Sequence, residues 1–291
     1  MNSQISNFLA SFPYAVSTRR TYQDILSRLL VRSQDLARMT ASELLEILNN
    51  SGWGNARQCL ALAACQKYLA WKYGHEHPAL KAKLKRIQGK PQRALTPETA
   101  LELLASFNPY EPKGARDLAI CSLALDTGLR ESELCRLQLA DTDMEHRVLQ
   151  VIVKGGQWAV AIFSEETTMN ISRWLNYRTI ADGKGFLFTH IKTGNGLTPE
   201  GLYTIVHEWG LKIGIQLSPH DIRRGMAVIG TLNGASERSL MEMGRWKSSD
   251  MIKRYTRTLK LEMLRKYLPM DGLLGKKPPE HPRGRYNLPS D

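Results

Sequence analysis

The sequence predicts a mainly α-helical protein with one small antiparallel β-sheet in its second half. Two observations carry this expectation. Apolar residues recur at helical spacing along most of the chain, as in Tyr22, Ile25, Leu26, Leu29 and Leu30. The period shortens to two in VLQVIVKGGQWAVAIF, residues 148–163, where two β-rich runs flank a turn holding two glycines.

In chain order, residues 1–88 read as an all-helical domain. Thr40-Ala-Ser-Glu43 has the form of a capping box, opening a helix that carries Leu44, Leu45 and Leu48. Asn55 to Tyr73 forms one long helical run, with Gly74 as its stop. PALKAKLKRI, residues 78–87, reads as a further, basic helix. Gly89, Lys90 and Pro91 have linker composition, so residues 89–95 mark a boundary, and Thr96-Pro97 supplies an N-cap followed by proline at the first helical position. The second domain, 96–270, should open with helices near 97–107 and 115–127. A short strand near Asp141–Met144 joins the hairpin to make three strands. Helices follow near 165–178, 199–211, 219–233, 236–243 and 250–267, and 271–291 is a Pro-rich, charged tail expected to be flexible.

The 291 residues carry 40 Lys+Arg against 28 Asp+Glu, a net charge of +12. The distribution says more than the sum. Residues 1–95 hold 14 basic against 5 acidic side chains, while 96–270 hold 22 against 20. A first third this basic suits a module that grips a phosphate backbone, with Arg19, Arg20, Lys81, Lys83, Lys85 and Arg86 as candidate DNA contacts. No apolar run is long enough to suggest a membrane span. Cys59, Cys65, Cys121 and Cys135 form no C-x-x-C pair and lie in apolar helical runs. They read as buried thiols of a reducing compartment, and with no export signal at the N-terminus the expected location is the cytoplasm.

Four stretches hold residues suited to chemistry at a phosphate. In SPHDIRRG, residues 218–225, Pro219 starts a helix that sets His220 and Arg223 three apart on one face, near a helix N-terminus. In LDTGLRESELCRL, residues 125–137, Arg130 follows a glycine stop and Glu133 stands one turn into the next helix. Lys154 sits on the hairpin turn, where it could reach a leaving oxygen. GRWKSSDMIKRYTRTL, residues 244–259, sets Trp246 and Tyr255 among five cationic side chains. Each has an ordinary explanation taken alone. Arg130 could pair with Glu133, Tyr255 shares a helical face with Met251, Ile252 and Leu259, and the lysines and arginines could form a solvated face.

Their order and spacing change the balance. TGLRESEL, a hairpin lysine, PHDIRR, and GRW with a tyrosine nine positions after the tryptophan together resemble the tyrosine recombinases of the phage integrase family. The resemblance spans roughly residues 95–268 and implies a catalytic set of Arg130, Glu133, Lys154, His220, Arg223, Trp246 and Tyr255. It also implies a helical core-binding domain followed by an α+β catalytic domain. The activity implied is site-specific DNA recombination through a covalent 3′-phosphotyrosyl intermediate, serving integration, excision or resolution of DNA elements. Neither metal nor ATP is implied, and the chain has no P-loop, H-E-x-x-H or paired-cysteine pattern. The implied partner is double-stranded DNA with a short core site, bound as a homo-tetramer by a protein monomeric in solution. Many members carry His directly after the glycine, and one branch carries Trp; here Arg245 stands between Gly244 and Trp246, as a further phosphate contact or a surface residue. Two alternatives stand beside recombination: a type IB-like DNA topoisomerase, which shares the chemistry, and a non-catalytic DNA-binding regulator that kept the fold.

Overall fold

The computed structural model describes residues 2–30, 35–87, 93–153, 156–181, 183 and 185–256. The chain divides into two compact units, Met1–Lys90 and Pro91–Asp291.

The first unit is helical: α1 (Asn2–Ala10), α2 (Val16–Leu29), α3 (Ala41–Asn49) and α4 (Asn55–Tyr73). Their apolar stripes meet in one core that includes Phe8, Ile25, Leu26, Leu48, Cys65 and Tyr68. The capping box of α3 is present, with the Thr40 N–H donating to Glu43 Oε2 at 2.7 Å and the Glu43 N–H to Thr40 Oγ1 at 3.3 Å. α4 stops at Gly74, whose φ is 90°.

The basic helix expected over 78–87 is not there. Pro78–Lys81 makes a single 3₁₀ turn, and Ala82 is already extended at φ −59°, ψ 132°. Two amide side chains of α4 take the hydrogen bonds a helix would need. Gln66 Nε2 donates to the Leu80 and Ala82 carbonyls at 3.0 and 2.9 Å. Asn55 donates to the Lys85 carbonyl at 3.0 Å and accepts the Ile87 N–H at 2.7 Å. His77 caps the turn, its Nδ1 accepting from the Ala79 N–H and its Nε2 meeting the Leu36 carbonyl.

The second unit places α5 (Pro97–Ala105), α6 (Pro112–Thr127) and the one-turn α7 (Glu131–Leu134) ahead of a sheet. That sheet contains β1 (Thr142–Asp143), β2 (Val148–Ile152) and β3 (Trp158–Ile162), antiparallel in sequence order, with Val148 opposite Ile162 and Ile152 opposite Trp158. There follow α8 (Glu165–Tyr177), α9 (Pro199–Lys212), α10 (Pro219–Leu232), α11 (Glu237–Gly244) and α12 (Asp250–Tyr255). α6 is buried along nearly its whole length and joins a large core with Leu149, Val151, Trp174 and Trp209. A second, smaller core of Met226, Ala227, Leu240, Trp246 and Ile252 ties α10, α11 and α12 together. All four cysteines are free; Cys65, Cys121 and Cys135 are buried, whereas Cys59 is half-exposed, short of the burial expected for it. Among the described residues no helix is long and apolar enough to cross a membrane.

Candidate active site

Two helix stops build the site. α6 ends at Gly128, which takes the left-handed conformation at φ 58° and turns the chain into Arg130. A Cβ there would fall 2.4 Å from Met226 Cε, the flexible end of a side chain that can move aside, so it is the conformation that calls for glycine. α11 ends in a Schellman turn. The Arg245 N–H donates to the Glu242 carbonyl at 3.2 Å and the Trp246 N–H to the Met241 carbonyl at 3.0 Å. The left-handed residue of this turn is Arg245 itself, at φ 53°. A side chain in that conformation costs about 1–2 kcal/mol relative to glycine.

Arg130 begins α7, and Glu133 locks it in two ways. Its Oε2 accepts the Arg130 N–H at 2.9 Å, and its Oε1 accepts Arg130 Nη1 at 2.7 Å. Glu133 is 4% exposed and Arg130 34%, so the carboxylate is held inside while the guanidinium reaches the surface.

α10 carries His220 and Arg223. Ser218 and Asp221 cap its start, the Ser218 N–H donating to Asp221 Oδ2 at 2.9 Å. Arg223 is buried and donates to the carbonyls of Gly128 and Gly244, the ends of both stopped helices. Burial, then the nearby Arg130 and Arg245 charges, pull its pKa down to about 10, while Glu133 and Tyr255 act in the other direction. His220 stands at the solvent edge of the same helix. Partial desolvation first, then Arg224, Arg223 and Arg130, hold its pKa below the ordinary histidine value against the pull of Glu131.

Trp246 is 9% exposed and lies under Arg223, whose guanidinium is 4.8 Å from the ring centroid. Its indole packs so closely on Gly244 that a Cβ there would fall 2.5 Å from Cε3. Tyr255 stands against Trp246 with ring centroids 6.2 Å apart, and Arg224 lies 5.7 Å from the tyrosine ring. The Tyr255 hydroxyl faces Met251 Sδ at 3.9 Å.

Six of the seven expected catalytic residues therefore share one region; Lys154 lies outside the described residues. Arg19, Arg20, Lys81, Lys83, Lys85 and Arg86 are all exposed on the first unit. Of the two readings of Arg245, a phosphate contact or a surface residue, the surface one does not hold. Its side chain is 10% exposed and its guanidinium donates inward, to the Met243 carbonyl at 2.9 Å and the Thr127 carbonyl at 3.1 Å. The stopped helices leave these carbonyls without helical partners, which is what draws the side chain in. Arg224 went unnoticed in the sequence, and the doubled arginine of HDIRR was its only signal.

Residues 93–262 match the phage integrase family model. The chain belongs to the phage integrase family. It is a tyrosine recombinase. Curated relatives include the tyrosine recombinase XerC of Actinobacillus pleuropneumoniae serotype 7, 26% identical over 251 residues that cover 78% of this chain and 82% of the relative. The tyrosine recombinase XerA of Pyrococcus furiosus is 28% identical over 245 residues, 83% of each chain. Among solved structures, the fold resembles a post-cleavage complex of the XerH site-specific recombinase bound to palindromic difH substrate. The TM-score is 0.70 at 18% identity, covering 87% of this chain and 80% of that one. It also resembles the Tn1549 transposon integrase in complex with transposon right-end DNA, with TM-score 0.71 at 16% identity over 92% and 99% of the two chains.

Proposed function

We propose that this tyrosine recombinase cuts and rejoins duplex DNA at a short specific site through a 3′-phosphotyrosyl link to Tyr255. The convergence of Arg223, Trp246 and Tyr255 at the ends of α6 and α11, beside the Arg130–Glu133 pair, carries the proposal. Attack on a phosphodiester loads negative charge onto the non-bridging oxygens. Arg130 and Arg223 meet that charge as fixed cationic donors, and Trp246 adds its indole N–H. Loss of one such preorganised donor costs about 10²–10³ in rate. The Tyr255 oxygen bonds to phosphorus, its proton passing toward His220, and the bond from phosphorus to the 5′-oxygen breaks. Lys154 protonates the departing 5′-oxygen. The ester bond energy is kept in the adduct, so rejoining is the same step reversed with a new 5′-hydroxyl.

Glu133 orients Arg130 without touching DNA, and the exposed cations of the first unit bind the backbone. The working assembly is a homo-tetramer on two duplex sites in the cytoplasm. Covalent trapping tests the chemistry. The protein is mixed in EDTA with a duplex enriched from a random-sequence pool by binding, quenched with SDS, and the nucleotide-bearing peptide is mapped by mass spectrometry. An adduct on Tyr255 is expected. An adduct on Tyr177 or Tyr203 would move the nucleophile, and failure to trap any adduct on the enriched duplex would overturn the proposal.

A further inference from the structure

The proposed chemistry leaves one buried cation of the site without a task. Arg245 occupies the left-handed position of the α11 stop, at φ 53° and ψ 45°, a position that glycine fills with less strain. Its guanidinium holds three groups at once: the Met243 carbonyl beside it, the Thr127 carbonyl at the end of α6, and Glu133 Oε2 at 3.8 Å. Glu133 is the carboxylate whose other oxygen grips Arg130 at 2.7 Å. Arg245 is also the residue directly before Trp246. A side chain that strains its own backbone in order to reach these groups links the two donors from opposite ends.

We propose that Arg245 is a positioning residue of the recombinase, fixing Glu133 and through it the Arg130 guanidinium, while tying the corner that carries Trp246 to the end of α6. This inference rests on the assignment of Arg130 and Trp246 as transition-state donors. A brace that only stabilised the fold would use the same contacts, so the test must separate the two.

Arg245→Gly keeps the left-handed turn and deletes the brace. Its cleavage is measured on two forms of the enriched duplex, one with the natural scissile phosphate and one with a methylphosphonate at the same step. The methyl group replaces a charged non-bridging oxygen, so less charge develops for Arg130 to meet. Arg245→Gly should bind the duplex as the wild type does and cleave the phosphodiester about 10–100-fold more slowly, less than the loss of a direct donor. On the methylphosphonate the loss should shrink to about threefold or less, because the positioned donor matters less there. Arg245→Lys, which keeps the charge and loses the fork, should show the same contrast between substrates in weaker form. Equal slowing on both substrates would mark a purely structural brace and overturn the inference. Wild-type cleavage of the phosphodiester by Arg245→Gly would do so too. Should Arg245→Gly not fold, Arg245→Gln is judged by the same ratio. If the wild type itself forms no Tyr255 adduct on either duplex, it is the underlying site assignment that fails, and this inference with it.

Discussion

Gly244→Ala asks most directly whether Trp246 must sit where it does. A Cβ on residue 244 would lie 2.5 Å from Trp246 Cε3 and Cζ3 and 2.8 Å from Cδ2. Carbon atoms in contact settle about 3.5–4.0 Å apart, so the indole has to retreat by about 1 Å. Two effects on stability oppose each other. Alanine is favoured over glycine in a helix by up to about 1 kcal/mol, whereas overpacking a filled site costs about 1–3 kcal/mol. Overpacking wins here, because Trp246 is 9% exposed and packs in one core with Met226, Ala227, Leu240 and Ile252. The net loss is about 1 kcal/mol, or about 2–4 °C in Tm. Catalysis should suffer more than folding. The Gly244 carbonyl accepts from Arg223, and the same guanidinium lies 4.8 Å from the indole, so both anchors of that donor shift together. A misplacement of about 1 Å in a positioning group can cost about 10² in rate. The rate of SDS-stable adduct formation on the enriched duplex, measured beside thermal unfolding, reads both effects. A folded Gly244→Ala protein that forms adduct at the wild-type rate would refute the claim that this seat sets the donor geometry.

Three other predictions concern the nucleophile, the histidine and the DNA grip. Tyr255→Phe should abolish the covalent adduct while duplex affinity stays near wild type; retained adduct would reassign the nucleophile. His220 has its pKa held below the ordinary value, chiefly by desolvation and then by Arg224, so it stays neutral at pH values where a free histidine begins to charge. The acid limb of the cleavage rate against pH should therefore fall below about pH 6.5. Removing a nearby cation favours the imidazolium, so Arg224→Gln should move that limb upward, and a limb that stays put or moves down would refute the coupling. The exposed Lys83, Lys85 and Arg86 predict a shallower salt dependence when all three are changed to alanine, by about 0.9 in the log–log slope for each phosphate no longer neutralised. An unchanged slope would remove this segment from the DNA interface.

What could be read from the sequence divides along the range of the forces involved. The start of α3 and the end of α4 were legible because their signals are local: the Thr40–Glu43 reciprocal cap and the glycine at 74. The hairpin of β2 and β3 was equally plain from its change of period. Residues 78–87 misled because lysine, leucine and alanine are good helix formers, while the deciding groups sit elsewhere. Gln66 and Asn55 act from 14 to 32 positions away and leave no mark in the local pattern. The site shows the same division. Order and spacing singled out its candidates from Arg130 to Tyr255, and the Arg130–Glu133 pair is local enough to be foreseen. The inward turn of Arg245 depends on Thr127, 118 positions earlier, and could not be foreseen.

Arg130, Arg223 and Arg245 crowd around the single carboxylate of Glu133, and two of the three are largely buried. Such a cluster is unfavourable on Coulombic grounds, and the Arg130 and Arg245 charges add to burial, the larger cause, in lowering the pKa of Arg223. What offsets it is the way two helices end. The last carbonyls of a helix lack internal partners and together carry about half a negative charge. Thr127 and Gly128 present such carbonyls from the end of α6, Met243 and Gly244 from the end of α11, and all four accept from Arg223 or Arg245. Unlike a second carboxylate, these acceptors do not titrate, and they leave the cluster net positive for a phosphate. Both helix stops depend on a residue at positive φ, Gly128 in one and Arg245 in the other. A substitution at either stop should therefore disturb these arginines as well as the helix, so the proposed reaction depends on the turns as much as on the charged side chains.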